Sequence, residues 1–237
     1  MESEVAQIPL WQKAWAWFEA NKRQTIYGAI GLAAIALVVS FFVYRKDQAD
    51  IAAGQALSNV ALSQFATGNR GNLLDGYLKV AASYPGSRAG ARAVLLAAGA
   101  LFVEGKYTEA KNEFDRFNRE YTDSPFRGEA LLGAAACLDA QGKSTEAATA
   151  YNDLITRRPN DYVLPQARFA LARLYESQGK PELARNLFEE VERNSPYTAI
   201  ANEAGMRLEE LKLKYPNLAV APAPGLTNSA PVQPQKR

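Results

Sequence analysis

The chain has 237 residues, and its 27 Lys and Arg nearly balance its 25 Asp and Glu, leaving a formal net charge of +2. That balance, with no basic stripe interleaved with aromatics, gives no reason to expect a nucleic-acid partner. The absence of histidine and the presence of a single cysteine, Cys137, remove His-based acid–base and metal chemistry, Cys-metal clusters and any intramolecular disulfide.

Residues 1–25 carry Ile8, Trp11, Trp15 and Phe18 at steps of three and four. This spacing places four large apolar groups on one helical stripe, and Pro9 suits a first helical turn. Tryptophan favours the membrane interface, where its ring is apolar and its N–H stays wet. The expectation is an amphipathic aromatic head lying on a membrane surface.

Residues 26–44, from Ile26 to Tyr44, contain no charged side chain. At about 1.5 Å per residue the stretch reaches about 28 Å, close to the hydrocarbon thickness of a bilayer. Lys22 and Arg23 bound it on one side and Arg45 and Lys46 on the other, so a transmembrane helix is predicted. A cleavable signal peptide would have a shorter apolar region, and no clear Ala-x-Ala site precedes Arg45. Lys13, Lys22 and Arg23 before the span outnumber Arg45 and Lys46 after it. The positive-inside rule then places the N-terminus in the cytoplasm and the larger C-terminal part outside it.

After residue 50, Ala, Leu, Glu and Arg dominate and alternating β-branched runs are scarce, which predicts an all-α fold. Helices are expected from Asp47 to about Thr67, Asn72–Tyr84, Ser87–Glu104, Thr108–Tyr121, Phe126–Gln141, Ser144–Arg157, Leu164–Gln178 and Pro181–Asn194. A last helix over Thr198–Lys214 is expected to cap the array with Met206, Leu208 and Leu211 on its buried side. Residues 216–237, rich in Pro and Ala, read as a disordered tail.

Within the helical part a phrase recurs: Gly105-Lys106-Tyr107-Thr108-Glu109-Ala110, Gly142-Lys143-Ser144-Thr145-Glu146-Ala147 and Gly179-Lys180-Pro181-Glu182-Leu183-Ala184, at a constant spacing of 37 residues. Fixed self-similarity in this range marks a repeat array. Each Gly is expected to end a first helix in the left-handed conformation. Ala110-x3-Phe114, Ala147-x3-Tyr151 and Ala184-x3-Phe188 follow, with Leu73-x3-Tyr77 as a degenerate earlier copy. Pro85, Pro159 and Pro196 stop the second helices. Small residues fall at Ala61, Ala98, Ala135 and Ala172 of the first helices. Across 47–215 this pattern resembles the tetratricopeptide (TPR) family of helical-hairpin solenoids. The sequence departs from it in lacking the Trp and the small Gly and in a period longer than 34, the extra residues being expected in the turns between repeats.

No catalytic, cofactor-binding or metal-ligating set emerges. The carboxylates sit on second helices beside Arg and Lys, as a salt-bridged face would. Gly142-Lys143-Ser144 ends like a phosphate loop but lacks the preceding Gly and strand. Cys137 lies in an apolar helix and reads as a buried, inert thiol. The chain is expected to be a non-enzyme with no cofactor and no small-molecule substrate.

Register with the TPR family implies a concave groove lined by Leu62 and Phe65, then Arg92, Leu95 and Phe102. Glu129, Leu132 and Asp139 follow, and then Phe169, Arg173 and Glu176. The set lacks the Lys and Asn clamp with which some TPR domains hold acidic chaperone C-termini. It suits an apolar or amphipathic protein segment, although Leu62, Leu95 and Phe102 equally fit a core. The layout of aromatic head, single span, immediate helix and TPR array resembles membrane-anchored TPR proteins of the bacterial envelope, such as the ancillary subunit of the Sec translocon. The phrase from Tyr84-Pro85-Gly86-Ser87 to Tyr121 also resembles repeats of outer-membrane assembly lipoproteins, but the N-terminal lipid-anchoring Cys is missing. The first resemblance implies a non-enzymatic scaffold at the inner membrane, its array periplasmic, contacting client chains, chaperones or translocon subunits. A cytoplasmic-facing or envelope-assembly scaffold of the same architecture is the alternative.

Overall fold

The computed structural model describes residues 15, 17–67 and 71–217. Of the expected tail over 216–237, residues 218–237 lie outside them, as do Ile8 and Trp11 of the head. Among the described residues every regular element is helical. In chain order these are α1 (Lys22–Thr67), α2 (Gly71–Ser83), α3 (Arg88–Val103), α4 (Tyr107–Glu120), α5 (Arg127–Ala140), α6 (Ser144–Arg157), α7 (Leu164–Ser177), α8 (Pro181–Asn194) and α9 (Ala199–Lys214).

The apolar stretch and the first repeat helix are one element. α1 runs for 46 residues without interruption, about 70 Å at the α-helical rise. Its apolar window has a mean hydropathy of 2.4 and is wholly exposed, so by length and composition it is able to cross a membrane. The C-terminal third of the same helix turns inward, burying Ala53 and packing Ala56, Leu57 and Val60 against the first core cluster.

Hairpins follow from the turns. At the end of α3, the Gly105 N–H donates to the Phe102 carbonyl at 3.0 Å and the Lys106 N–H to the Leu101 carbonyl at 2.9 Å. The pair of bonds recurs as Gly142 to Asp139 with Lys143 to Leu138, and as Gly179 to Glu176 with Lys180 to Tyr175. They satisfy carbonyls that a helix end leaves open, and they require a left-handed residue between them. Gly105, Gly142 and Gly179 have φ of 78°, 74° and 68°, where a Cβ would be strained.

The turns between repeats are longer, as expected, and also keep register. Carbonyls of Tyr84, Tyr121, Arg158 and Ser195 accept from the N–H three residues on. In the first of these turns Gly86 takes φ of 78°; in the last, Tyr197 takes φ of 66° at the equivalent place, with 98% of its surface exposed.

Each hairpin buries the Ala-x3-aromatic pair. Ala110, Ala147 and Ala184 are fully buried, as is Phe188, with Tyr151 nearly so and Phe114 8% exposed. Burying a large apolar side chain of this kind contributes about 1.5–3 kcal/mol. The core is continuous along the array because first helices face two ways. α5 gives Ala130, Ala134 and Cys137 to one cluster and Ala135 and Leu138 to the next. α7 does the same with Leu171 and Leu174 on one side and Phe169 and Ala172 on the other.

α9 closes this series through Ala201, Ala204, Leu208 and Leu211. Met206, expected on the buried side, is 63% exposed. Two residues before Leu208, it lies about 200° around the helix from it.

Two substitutions separate backbone strain from packing. Gly142→Val has open space around its Cβ and should still cost about 1–3 kcal/mol through φ alone, whereas Tyr197→Gly should gain stability by about 0.5–1 kcal/mol. Chemical denaturation of the intact chain reads both; equal stability of all three proteins would contradict the left-handed assignment. Ala147→Leu should overpack the α5–α6 contact at a cost of about 1–3 kcal/mol, and an unchanged unfolding midpoint would show that the contact has slack.

Candidate functional site

First helices of successive repeats touch one another directly, α3 with α5, α5 with α7 and α7 with α9. That places them on the inside of the curve, so their free faces line its concave side. A cavity of about 450 Å³ opens there across α3, α5 and α7. It exists because Ala136, Ala140 and Ala170 leave room between Phe102 on one flank and Arg173 on the other.

The lining of the cavity is mixed, apolar side chains alternating with polar ones. Asp139 on α5 and Arg173 on α7 both line it, and among the described residues neither side chain forms an ion pair or hydrogen bond. Tyr151, from α6, reaches it from below with its ring almost fully buried. Burial, with the nearby Asp139 carboxylate adding to it, pushes the tyrosine hydroxyl far above its ordinary range, so it stays a neutral donor and acceptor. It has no partner among the described residues. The arrangement offers one acidic, one basic and one neutral hydrogen-bonding group around an apolar slot. Such a set suits a peptide backbone carrying an apolar side chain; it does not assemble a nucleophile with a base.

The expected groove residues divide into four groups. Phe102, Asp139 and Arg173 meet at the cavity. Leu95 and Leu132 are half-buried against the core clusters, and Phe169 is 7% exposed with its ring 5.3 Å from that of Phe188. These three positions pack between helices, and Phe169 in particular is corrected from groove to core. Arg92 stacks over Phe126 at 5.9 Å, and Glu129 accepts a hydrogen bond from the Tyr162 hydroxyl; both are engaged by the turns between repeats. Leu62 is exposed and apart from the cavity, Glu176 is half-buried and outside its lining, and the Phe65 side chain lies outside the described residues. Tyr151 went unassigned to the groove because its Ala-x3-aromatic position reads as packing; the small residues at 136, 140 and 170 were the signal for the cavity itself.

In the head, Trp15 and Phe18 are exposed with ring centroids 6.0 Å apart. Lys22 pairs with Glu19 at 3.0 Å, and Arg23 is exposed. Asn21 passes the chain into α1, its N–H donating to the Trp17 carbonyl at 3.1 Å.

Residues 95–162 match a family model described as tetratricopeptide repeat, and residues 166–196 match a second of the same description. No curated protein sequence matches the chain at a significant level. Among solved structures, the chain is similar to the MamA RS-1 ArsTM double mutant, at 14% identity and a TM-score of 0.53 over 70% of this chain and 87% of that one. It is also similar to a tetratricopeptide repeat protein from Parabacteroides merdae, at 15% identity and a TM-score of 0.51, covering 69% and 63%. PcrH from Pseudomonas aeruginosa aligns at 19% identity with a TM-score of 0.47, covering 53% of this chain and 94% of that one. At these identities the first two likenesses show the fold alone, an all-helical array, in which the family models recognise tetratricopeptide repeats.

Cys137 is fully buried beneath this surface, and burial pushes its thiol from 9.0 up to about 11. A raised acid pKa in the folded state stabilises the fold below the unfolded value and loses that contribution as pH rises through the folded one. Stability should therefore fall between about pH 9 and pH 11, and Cys137→Ala should remove that part of the decline. A thiol reagent at neutral pH should label the chain only in denaturant; labelling of the native chain at the unfolded rate would contradict the burial.

Proposed function

We propose that the chain is a membrane-anchored, non-enzymatic TPR scaffold that receives a segment of another protein in its concave cavity, beside the protein-export machinery of the bacterial inner membrane. The observation that carries the reading is the cavity between Phe102, Asp139 and Arg173, where two unpaired opposite charges and an unpartnered tyrosine hydroxyl surround an apolar slot. Asp139 is half-buried and Arg173 exposed at the mouth of the cavity, and a bound polypeptide would supply partners to both and to the Tyr151 hydroxyl. The TPR repeats, the uninterrupted α1 and its apolar, exposed N-terminal part support anchoring by a single span. The charges flanking that span support an N-terminus in the cytoplasm and an array in the periplasm, where client chains, chaperones or translocon subunits are the partners within reach.

A photo-crosslinking residue at Ala140, on the rim of the cavity, should capture a polypeptide in native membranes, and Asp139→Arg with Arg173→Glu should abolish the adduct. Equal capture from a probe at Glu182, on the far side of the hairpin, would reject the cavity as the working surface. Topology is read separately. With Cys137→Ala, a single Cys at Ser229 should react with an impermeant thiol reagent in cells whose inner membrane is exposed, and one at Ser3 should not. The reverse pattern would replace the export reading with a cytoplasmic-facing scaffold.

A further inference from the structure

The chain leaves the array at the end where the concave cavity opens. Phe102 stands near the C-terminal end of α3, Asp139 and Ala140 at that of α5, and Arg173 and Ser177 at that of α7. α8 folds back along α7 and α9 along α8, so α9 runs parallel to α7, which it touches. Its last residue, Lys214, is therefore at the same end of the array as Ser177. Tyr215 then packs against the third core cluster, and its N–H donates to the Leu211 carbonyl at 2.8 Å. These contacts fix the point from which the chain departs.

From that point the cavity is within short reach. Helices in contact lie about 8–10 Å apart, so the space between α5 and α7 is about 15 Å from α9. An extended chain covers about 3.3 Å per residue. Beyond Asn217, where the described residues end, about five to eight residues cross the gap, with some slack for a curved path. That brings the stretch 220–226 over the cavity.

The composition of the stretch suits the lining. Val220-Ala221-Pro222-Ala223-Pro224-Gly225-Leu226 carries no charge, and none occurs between Leu218 and Gln235. One carboxylate and one guanidinium leave the lining without net charge, so an uncharged segment meets no unbalanced field. Its Ala and Pro side chains are small enough to lie over Ala136, Ala140 and Ala170, while Val220 and Leu226 supply larger apolar groups. Pro222 and Pro224 restrict φ whether or not the segment is docked, which lowers the entropy lost on docking. A short tether also holds a segment at an effective concentration in the millimolar range, roughly, so modest contacts suffice. We propose that residues 220–226 occupy the concave cavity of their own chain and that an incoming polypeptide must displace them. The Arg173 guanidinium and the Tyr151 hydroxyl donate to carbonyls of the segment, and Asp139 accepts an N–H that the prolines leave available. The proposal rests on the cavity as the partner site and adds its regulation by the chain itself.

The test uses the full-length chain with a photo-crosslinking residue at Ala140. In maltoside micelles, irradiation and tryptic digestion should join position 140 to the peptide 215–236 of the same chain. Val220→Asp with Leu226→Asp should abolish this adduct. Thr227→Asp with Ser229→Asp, which puts the same charges just outside the stretch, should keep it. In native membranes the chain with Val220→Asp and Leu226→Asp should capture polypeptide at position 140 about fivefold more than the wild-type chain. An adduct between two chains would assign the cavity to a second copy and overturn the proposal. So would the absence of an adduct with 215–236, its survival in the Val220→Asp, Leu226→Asp variant, or equal capture by variant and wild type. The membrane experiment separates the two readings. Strong capture by a wild-type chain that forms no adduct with 215–236 ends this proposal alone, whereas no capture by either chain ends the partner-site reading and this proposal with it.

Discussion

The array depends on a backbone turn of three residues. A first helix ends, a glycine enters the left-handed region, and the following lysine returns its N–H to a carbonyl five residues back. This geometry sets the second helix antiparallel to the first at the distance where Ala147 fits against α5 without a gap. Once the hairpin is closed, its remaining apolar face has no cover of its own, so the next hairpin must supply it. Cys137 and Ala135, two positions apart on α5, go to different clusters for that reason. The three turns share a backbone shape and the Gly-Lys pair, while the residue that opens the next helix varies, from Tyr107 to Ser144 to Pro181.

What could be seen in the sequence was what is local. Gly, the Ala-x3-aromatic pair and the proline all act within one or two turns of their own backbone, so their spacing alone announces helix ends and hairpin contacts. The concave face is different. Leu95 and Phe102 are seven residues apart on one helix, share a face by period and both pack against the first core cluster, yet Phe102 alone also flanks the cavity. The difference is made by neighbours on α5 and α7, where Ala136, Ala140 and Ala170 fail to fill the space. Phe169 was assigned to the groove by register and is buried because Phe188 of α8 meets it edge-on, a partner that register cannot supply. Met206 is apolar but two residues from Leu208, and the 100° step of the helix turns it to solvent.

The second helices and the concave cavity treat charge differently. Along the second helices, Lys111 pairs with Asp115, Arg116 with Glu113 and Glu120, and Arg168 of α7 reaches Glu190 of α8. Pairs of this exposed kind contribute little to stability, but they neutralise the outer surface. Against that background Asp139 and Arg173 are two unpaired side chains of opposite charge that share one cavity.

The continuity of α1 has a mechanical consequence. A helix anchored in a bilayer tilts to match its apolar length to the hydrocarbon thickness. Where a flexible linker joins anchor and domain, such tilt is absorbed before it reaches the domain. Here the same hydrogen-bonded rod that would tilt also supplies the first helix of the solenoid, with Ala53, Leu57 and Val60 packed into it. On the proposed anchoring, membrane thickness therefore becomes an angle, and the long arm of the array converts that angle into a displacement of the distal repeats. The inclination of the concave face toward the bilayer would then differ between thin and thick membranes with no change inside the array.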